Sequence, residues 1–550
     1  MYLYKTMDKF KDWLPSRKKK ITFEIIIFFS FLLLGTFIYD DYGISWDEVS
    51  HRSNGFVSLN YIRNLLLLNE YPGFPELKDY FAQSYGVIFD LPMAYLEKLF
   101  HIEDSKSYFL MRHYANFIIF FISTICFYFL LKKRFSFQLS LLGLFFLILS
   151  PRIFAESFYN MKDLVFMSLF TIALFFSINF LNNISYKNSF FAALFCSMAI
   201  SSRIMAIIIP FFIFTFFILE SLDNKKYFLK YINKFFLFLV LVLTITFIFW
   251  PYLWTDPIVN FINTFKSMSS YIWRGSILYQ GNYISALNLP WHYSLVWIFI
   301  TTPMLYIFLF VIGFLFMIIR LIKRFLEINS KNKSNNLWKG NYERTDLFIF
   351  LIFFFTLYIV IEINSSLYGG WRHLYFIYPC LIYISIIGLE FINKYIIKKY
   401  IFIFIIPFLI YISAWIFNNH PYQFVYFNSL SGKNINSNFE IDYWGLSNKD
   451  ALFHIANITK KNNIKVYINS DSPYYFSLSL LNKENRDRIE FIDNINMADY
   501  LVTNHYYAWG NRSMPKDDPV LVNLKLKNEF VIIKEFTVDN IPINSIYKIN

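Results

Sequence analysis

The sequence predicts an α-helical polytopic membrane protein of about eleven transmembrane helices, with a small extracytoplasmic α/β domain at its C-terminal end. Three observations predict it. Apolar runs of spanning length recur up to residue 419, basic residues cluster in short loops between those runs, and beyond residue 420 the long runs give way to short alternating ones. Composition agrees, with 56% hydrophobic and 22% aromatic residues among 550 and only 16% charged; soluble domains carry about 25% charged residues. Mean hydropathy is +0.41. Disorder is excluded by the apolar content, and a disulfide-built scaffold by three cysteines. Cys126, Cys196 and Cys380 lie inside apolar runs and read as small packed hydrophobes.

A hydrocarbon core about 30 Å thick takes about 20 helical residues to cross. Runs at 21–39, 109–131, 135–150, 164–181, 235–252, 296–319, 346–363, 373–391 and 399–417 fit that requirement. Residues 1–20 form a cytoplasmic N-terminal segment. The first run is a retained anchor, because it ends at Tyr39-Asp40-Asp41 without a small-residue cleavage site. The stretch 189–220 exceeds one span and is broken at Ser201-Ser202-Arg203. It reads as two short passes meeting near the outer face, with one tilted helix as the alternative. The transmembrane domain is then 21–419, and 40–108, 151–163, 253–295, 364–372 and 420–550 share the outer face.

The net charge of +13 would raise nucleic acid as a partner for a soluble chain. Here it marks topology. Seven basic residues precede the first run, and further clusters lie at 132–134, 225–234, 320–344 and 394–399. All of them fall on the inner side of the arrangement above, as the positive-inside rule requires. From Asp40 to Lys106 there are 11 acidic and 5 basic residues, and from Asn418 onward 14 of each. No nucleic-acid partner is expected. In the tail, period-two segments predict strands at Ile464–Ile468, Arg488–Ile492, Tyr500–Val502, Phe530–Val538 and Pro542–Ile549, with helices over Asp450–Lys461 and Ser472–Leu481.

The chemistry-bearing residues gather on the predicted outer face. Asp47 and Glu48 follow the first span in Gly43-Ile44-Ser45-Trp46-Asp47-Glu48. The connection 151–163 carries Arg152, Glu156, Lys162 and Asp163, and Tyr368-Gly369-Gly370-Trp371-Arg372-His373 opens a later span. Acids beside a bilayer are costly unless solvated, paired or functional. Acids together with cations at headgroup level suit a lipid-linked phosphosugar: a cation stabilises the departing phosphate, and a carboxylate accepts the proton of an attacking hydroxyl. A second carboxylate can hold a metal ion or position the acceptor.

In these stretches, with Tyr375-Phe376-Ile377-Tyr378-Pro379, the chain resembles membrane glycosyltransferases of the C superfold. More narrowly it resembles the protein O-mannosyltransferase and aminoarabinose-transferase group, the dolichyl-phosphate-mannose mannosyltransferase-like family. His420-Pro421-Tyr422-Gln423 and Asp442-Tyr443-Trp444-Gly445-Leu446-Ser447 resemble bacterial members. The resemblance implies inverting transfer of a hexose or pentose from a polyprenyl-phosphate donor to a glycan, lipid or protein acceptor of the cell envelope, at the outer face of the plasma membrane. It implies Asp47 as catalytic base, with Glu48 as the adjacent alternative. Arg372 binds the donor phosphate in this reading, supported by Lys162, Arg203 and His373. Asp163 and Glu156 take a metal or acceptor role, and a divalent cation, Mg or Mn, is the cofactor implied. The chain lacks the repeat-type luminal insertion of the mannosyltransferases, and its tail differs from the aminoarabinose enzymes.

Blander roles stand beside these. Arg203 can snorkel to water, His373 has no second His at metal spacing, Glu362 is a solvated interfacial acid, and Trp250 and Trp254 belong to an aromatic belt. Trp291 and His292 are candidates for an acceptor groove. The rival function is a transporter or flippase of lipid-linked saccharides, which should place ionisable residues near mid-bilayer. A non-catalytic assembly subunit is a third reading.

Overall fold

Within a bilayer a long apolar segment can satisfy its backbone only as helix or closed barrel, and in this computed structural model the apolar runs are helical over their described residues. The structure describes residues 17–269, 271–327, 337–395, 401–508 and 530–549. Lys5, Lys9 and Lys11, expected before the first span, and Lys331, Lys333, Lys398 and Lys399 lie outside them.

Helix α1 (Arg17–Ile38) is followed on the same side by α2 (Asp47–Leu65) and α3 (Asp90–Leu99). Next come α4 (Ser105–Lys132), α5 (Phe137–Ile148), α6 (Pro151–Tyr159) and α7 (Asp163–Asn182). Helix α8 (Tyr186–Ile200) turns back at Ser201-Ser202-Arg203 into a 3-10 turn and α9 (Ile208–Asp223), so 189–220 is two helices and not one tilted helix. After α10 (Lys225–Phe249) the chain forms α11 (Pro257–Ser269) and a hairpin of β1 (Ser276–Tyr279) and β2 (Asn282–Ser285). Helices α12 (Tyr293–Thr301), α13 (Met304–Glu327), α14 (Gly340–Glu362), α15 (Tyr378–Tyr395) and α16 (Ile401–Asn418) complete this part.

Eight helices of the described residues are long and apolar enough to cross a membrane, so the chain is a multi-pass membrane protein. The bent pair α5–α6, at 62°, would make a ninth. An eleven-pass arrangement also needs the shorter α8 and α16. The segment 151–163 is not the loop expected from its charges. Pro151 starts a helix, as proline at a first helical position does, and all nine residues of α6 are buried.

The tail holds α17 (Asn448–Ile458), β3 (Ile464–Ile468), β4 (Ile489–Ile492), β5 (Tyr500–Thr503), β6 (Phe530–Val538) and β7 (Ile541–Ile549). The sheet order is β4-β3-β5-β7-β6, parallel among β4, β3 and β5 and antiparallel beyond. Ala451, Leu452 and Ile455 of α17 share a core with Val466, Val502 and Ile546 of the sheet. The helix expected over 472–481 is only Tyr474–Ser477 and a following 3-10 turn.

The tail is fastened to the residues just after α1. Lys449 Nζ donates to the Asp40 and Asp41 carbonyls, both at 2.8 Å, and Tyr42 OH donates to Gln423 Oε1 at 3.1 Å. His420 Nε2 sits 2.8 Å from Asp41 Oδ2. Gly43 lies so close to the strap before α17 that a Cβ there would stand 2.4 Å from the Leu446 carbonyl oxygen. These contacts bring 440–447 over the helix ends that carry Asp47 and Arg372.

Candidate functional site

Asp47 and Glu48 open α2, where negative charge is favoured by the helix dipole. Successive helical residues point about 100° apart, and the two carboxylates diverge. Glu48 is 1% exposed: Oε1 accepts from Ser45 N at 2.7 Å and Oε2 lies 2.9 Å from His113 Nε2. Its carboxylate is occupied in holding the loop, whereas Asp47 is the first choice of the pair. Asp47 faces the site and keeps 32% of its side-chain surface exposed.

Four distant stretches meet there. Arg372 Nη1 donates to Asp163 Oδ2 at 2.8 Å and, more weakly, to Asp47 Oδ2 at 3.4 Å. Arg203 Nη2 donates to the other oxygen of Asp163. Asn160 Nδ2 bridges Asp163 Oδ2, at 3.3 Å, and Glu156 Oε2, at 2.7 Å. Glu156 also accepts from Tyr375 OH at 2.7 Å. A buried pair of charges repays its desolvation only when its geometry is good, and here one carboxylate serves two guanidinium groups. Burial by itself raises the Asp47 carboxyl, but Arg372, Lys162 and His51 outweigh it against Asp163 and hold it below the usual range. Burial, set against Asp47 and reinforced by Arg203 and Arg372, pulls the Lys162 ammonium down to about 8.

Arg372 is boxed by aromatic rings. Its guanidinium lies 4.7 Å from the Trp444 ring, 4.8 Å from Tyr368 and 5.3 Å from Tyr443, distances at which a cation is attracted to a ring face. Gly369 allows this approach. It has φ +64°, and a Cβ on it would stand 2.9 Å from Tyr443 and 3.1 Å from Arg372 Nε. Arg372 Nε, Arg203 Nε and His373 Nδ1 are buried without a hydrogen-bond partner. Tyr443, Trp444 and Asn160 have no role that the sequence alone assigns. No local pattern shows that the tail supplies two walls of this box.

Two hollows meet at the box. The outer cleft, about 660 Å³, is lined by Trp46 and Asp47 on the membrane side and by Tyr443 and residues 468 and 470–476 of the tail. The inner cavity, about 110 Å³, is lined by Lys162, Arg203, His51 and His373 together with apolar groups that include Met205, Trp250 and Leu374. Tyr271 and Tyr368 line both. Trp250 is thus an interior wall, 1% exposed, and not a belt residue. Glu362 is solvated as expected, and Trp291 and His292 line neither hollow.

The acids do not fit a divalent cation as they stand. Both oxygens of Asp163 face guanidinium groups and both of Glu156 accept hydrogen bonds. Among the described residues no three His, Cys, Asp or Glu side chains converge as metal ligands.

No protein-family profile and no curated protein matches this chain. Solved structures do overlap with it. ArnT from Cupriavidus metallidurans bound to undecaprenyl phosphate covers 96% of this chain and 98% of its own, at 10% identity and a TM-score of 0.45. The apo oligosaccharyltransferase of Archaeoglobus fulgidus covers 86% of this chain at 11% identity and a TM-score of 0.45, and this chain spans 65% of its length. The arabinofuranosyltransferase AftD from mycobacteria covers 98% of this chain and 40% of its own, at 11% identity and a TM-score of 0.40. Overlap at this level says nothing about chemistry, which must come from the side chains.

Proposed function

We propose that the chain is an inverting glycosyltransferase that moves a sugar from a polyprenyl-phosphate donor to an acceptor at the outer face of the plasma membrane. One observation carries the reading: Asp47, paired with the buried Arg372, lines a larger acidic cleft that shares the walls Tyr271 and Tyr368 with a small cationic, apolar-walled cavity. The inner cavity suits a prenyl phosphate, with Lys162 and Arg203 for the anion and Met205 and Leu374 among the walls for the first isoprene unit. The outer cleft admits the attacking alcohol.

The acceptor oxygen attacks the anomeric carbon from the cleft side. Asp47, ionised, takes the hydroxyl proton as general base. The bond between the anomeric carbon and the phosphate oxygen breaks, its electron pair stays on that oxygen, and the unpartnered N–H groups of Arg372 and Arg203 meet the developing charge. Attack opposite the leaving group inverts the centre. Asp163 holds both arginines in place and needs no proton change. A transporter is less favoured, because these charges sit at helix ends and both hollows open at the same end.

The test is release of polyprenyl phosphate from a polyprenyl-phosphate hexose by purified protein in lipid nanodiscs. Asp47→Asn should lower the rate by about 10²–10⁴-fold, the usual contribution of a general base, with expression and melting temperature retained. Undiminished turnover in that variant removes Asp47 as base.

A further inference from the structure

The outer cleft differs chemically from the cavity behind it. Among its described lining residues there are two carboxylates, Asp47 and Asp471, and no lysine, arginine or histidine. Such a wall repels phosphate, uronate and anionic headgroups. More than half of the lining residues are aromatic, contributed from both sides: Trp46 and Trp273 from the membrane domain, and Tyr443, Tyr474, Tyr475 and Phe476 from the tail. Trp273 is stacked on Tyr368 with centroids 4.5 Å apart and planes 14° from parallel, which fixes one platform. Tyr475, 56% exposed, presents a second large ring to water. Ser470 and Ser472 add hydroxyls between the rings.

From this combination we infer that the acceptor is an uncharged saccharide, bound in the outer cleft between the membrane domain and the 468–476 segment of the tail. The inference rests on the transfer reading above and names its second substrate. A pyranose offers C–H edges, which suit the negative face of an aromatic ring, and hydroxyls, which suit carboxylates and serines. A lipid acceptor finds little aliphatic wall, since Ile468 and Pro473 are the non-aromatic apolar residues lining the cleft. A peptide bound by strand addition needs an open sheet edge. The edges of the tail sheet are β4 and β6, and neither contributes to the lining. The cleft volume lies within the range typical of small-molecule sites, and its membrane-side wall includes Asp47, so a bound sugar brings its hydroxyl to the base.

Tryptophan fluorescence of the intact protein in nanodiscs reads the cleft directly, because Trp46 and Trp273 line it. Short neutral oligosaccharides of gluco, galacto and manno configuration are titrated beside uronate-containing ones, a short peptide and lipid A. At least one neutral series should saturate and the others should not. Tyr475→Ala should weaken that binding about tenfold, the loss of one ring contact, while Tyr475→Phe, which keeps the ring, should restore it. Failure of all three neutral series to bind, saturation by the peptide, uronate or lipid instead, or an unchanged titration in Tyr475→Ala overturns the inference. The transfer reading fails separately, by absence of polyprenyl phosphate release from the wild type, and the titration stands or falls without it.

Discussion

Asp47 and Glu48 carry the same charge one residue apart, yet one is sealed against His113 and the other opens on a cleft. The first turn of α2 separates them, and sequence alone could not. Their neighbour Lys162 gives the site a pH response. Asp47, held below the usual carboxylate range, stays ionised across neutral pH and sets no acidic limb there. Lys162, pulled down to about 8 by burial and by two arginines, is charged below that pH and neutral above it. Only the charged form attracts a phosphate. The kcat/KM for the donor, which reports groups of the unliganded enzyme, should therefore be flat near pH 7 and fall above about pH 8. Lys162→Arg keeps its charge, so that limb should vanish from the accessible range, at a lower plateau because a guanidinium fork does not replace an ammonium. The same limb in wild type and Lys162→Arg would assign it to another group.

At the scale of elements, short pieces at one end of the bundle do the positioning: the start of α2, the α6–α7 junction, the turn before α15 and the strap 440–447. The strap depends on Gly43. Gly43→Val would push the Leu446 carbonyl outward and carry Tyr443 and Trp444 off Arg372. A displacement of about 1 Å can cost 10²-fold in rate, so turnover should fall at least about tenfold while limited proteolysis cuts the tail from the membrane domain more readily. Wild-type turnover would mean that the ring box does not need this contact. The spans and strands were legible because their signals are local: apolar runs of helical length, and period-two alternation in the tail. Helices α2, α3 and α11 were not, since they are partly polar, α3 and α11 are short besides, and their apolar stripes make sense only against partners. Helix α6 was not legible either, because a short charged stretch between two apolar runs has the pattern of a connection. In fact Arg152 Nε donates to the Tyr426 carbonyl at 3.0 Å, and Glu156 is held by Tyr375. The acids and cations of the site were legible as types on one face. That Tyr443 would meet Arg372 from 71 positions away was written in no local pattern.

Over the whole molecule, charge is sorted to the two ends of the helix bundle. One end carries Asp47, Asp163, Arg203 and Arg372. At the other, Asp346 is 0% exposed and paired with Arg134 at 3.1 Å and Arg320 at 2.9 Å, and Arg344 meets Glu220 at 3.1 Å. These arginines belong to or adjoin the basic clusters that the positive-inside rule keeps in the cytoplasm, so the site end should face outward. Cysteines placed at exposed positions test this directly. With Cys126 replaced by serine and the buried Cys196 and Cys380 kept, Lys78→Cys and Lys433→Cys should react with an impermeant maleimide in intact cells. Lys187→Cys and Lys226→Cys, exposed at the opposite end, should react only after permeabilisation. The reverse pattern would put the acidic cleft in the cytoplasm. A donor and acceptor assembled outside could not then reach it, and the transfer reading would have to be rebuilt around cytoplasmic substrates.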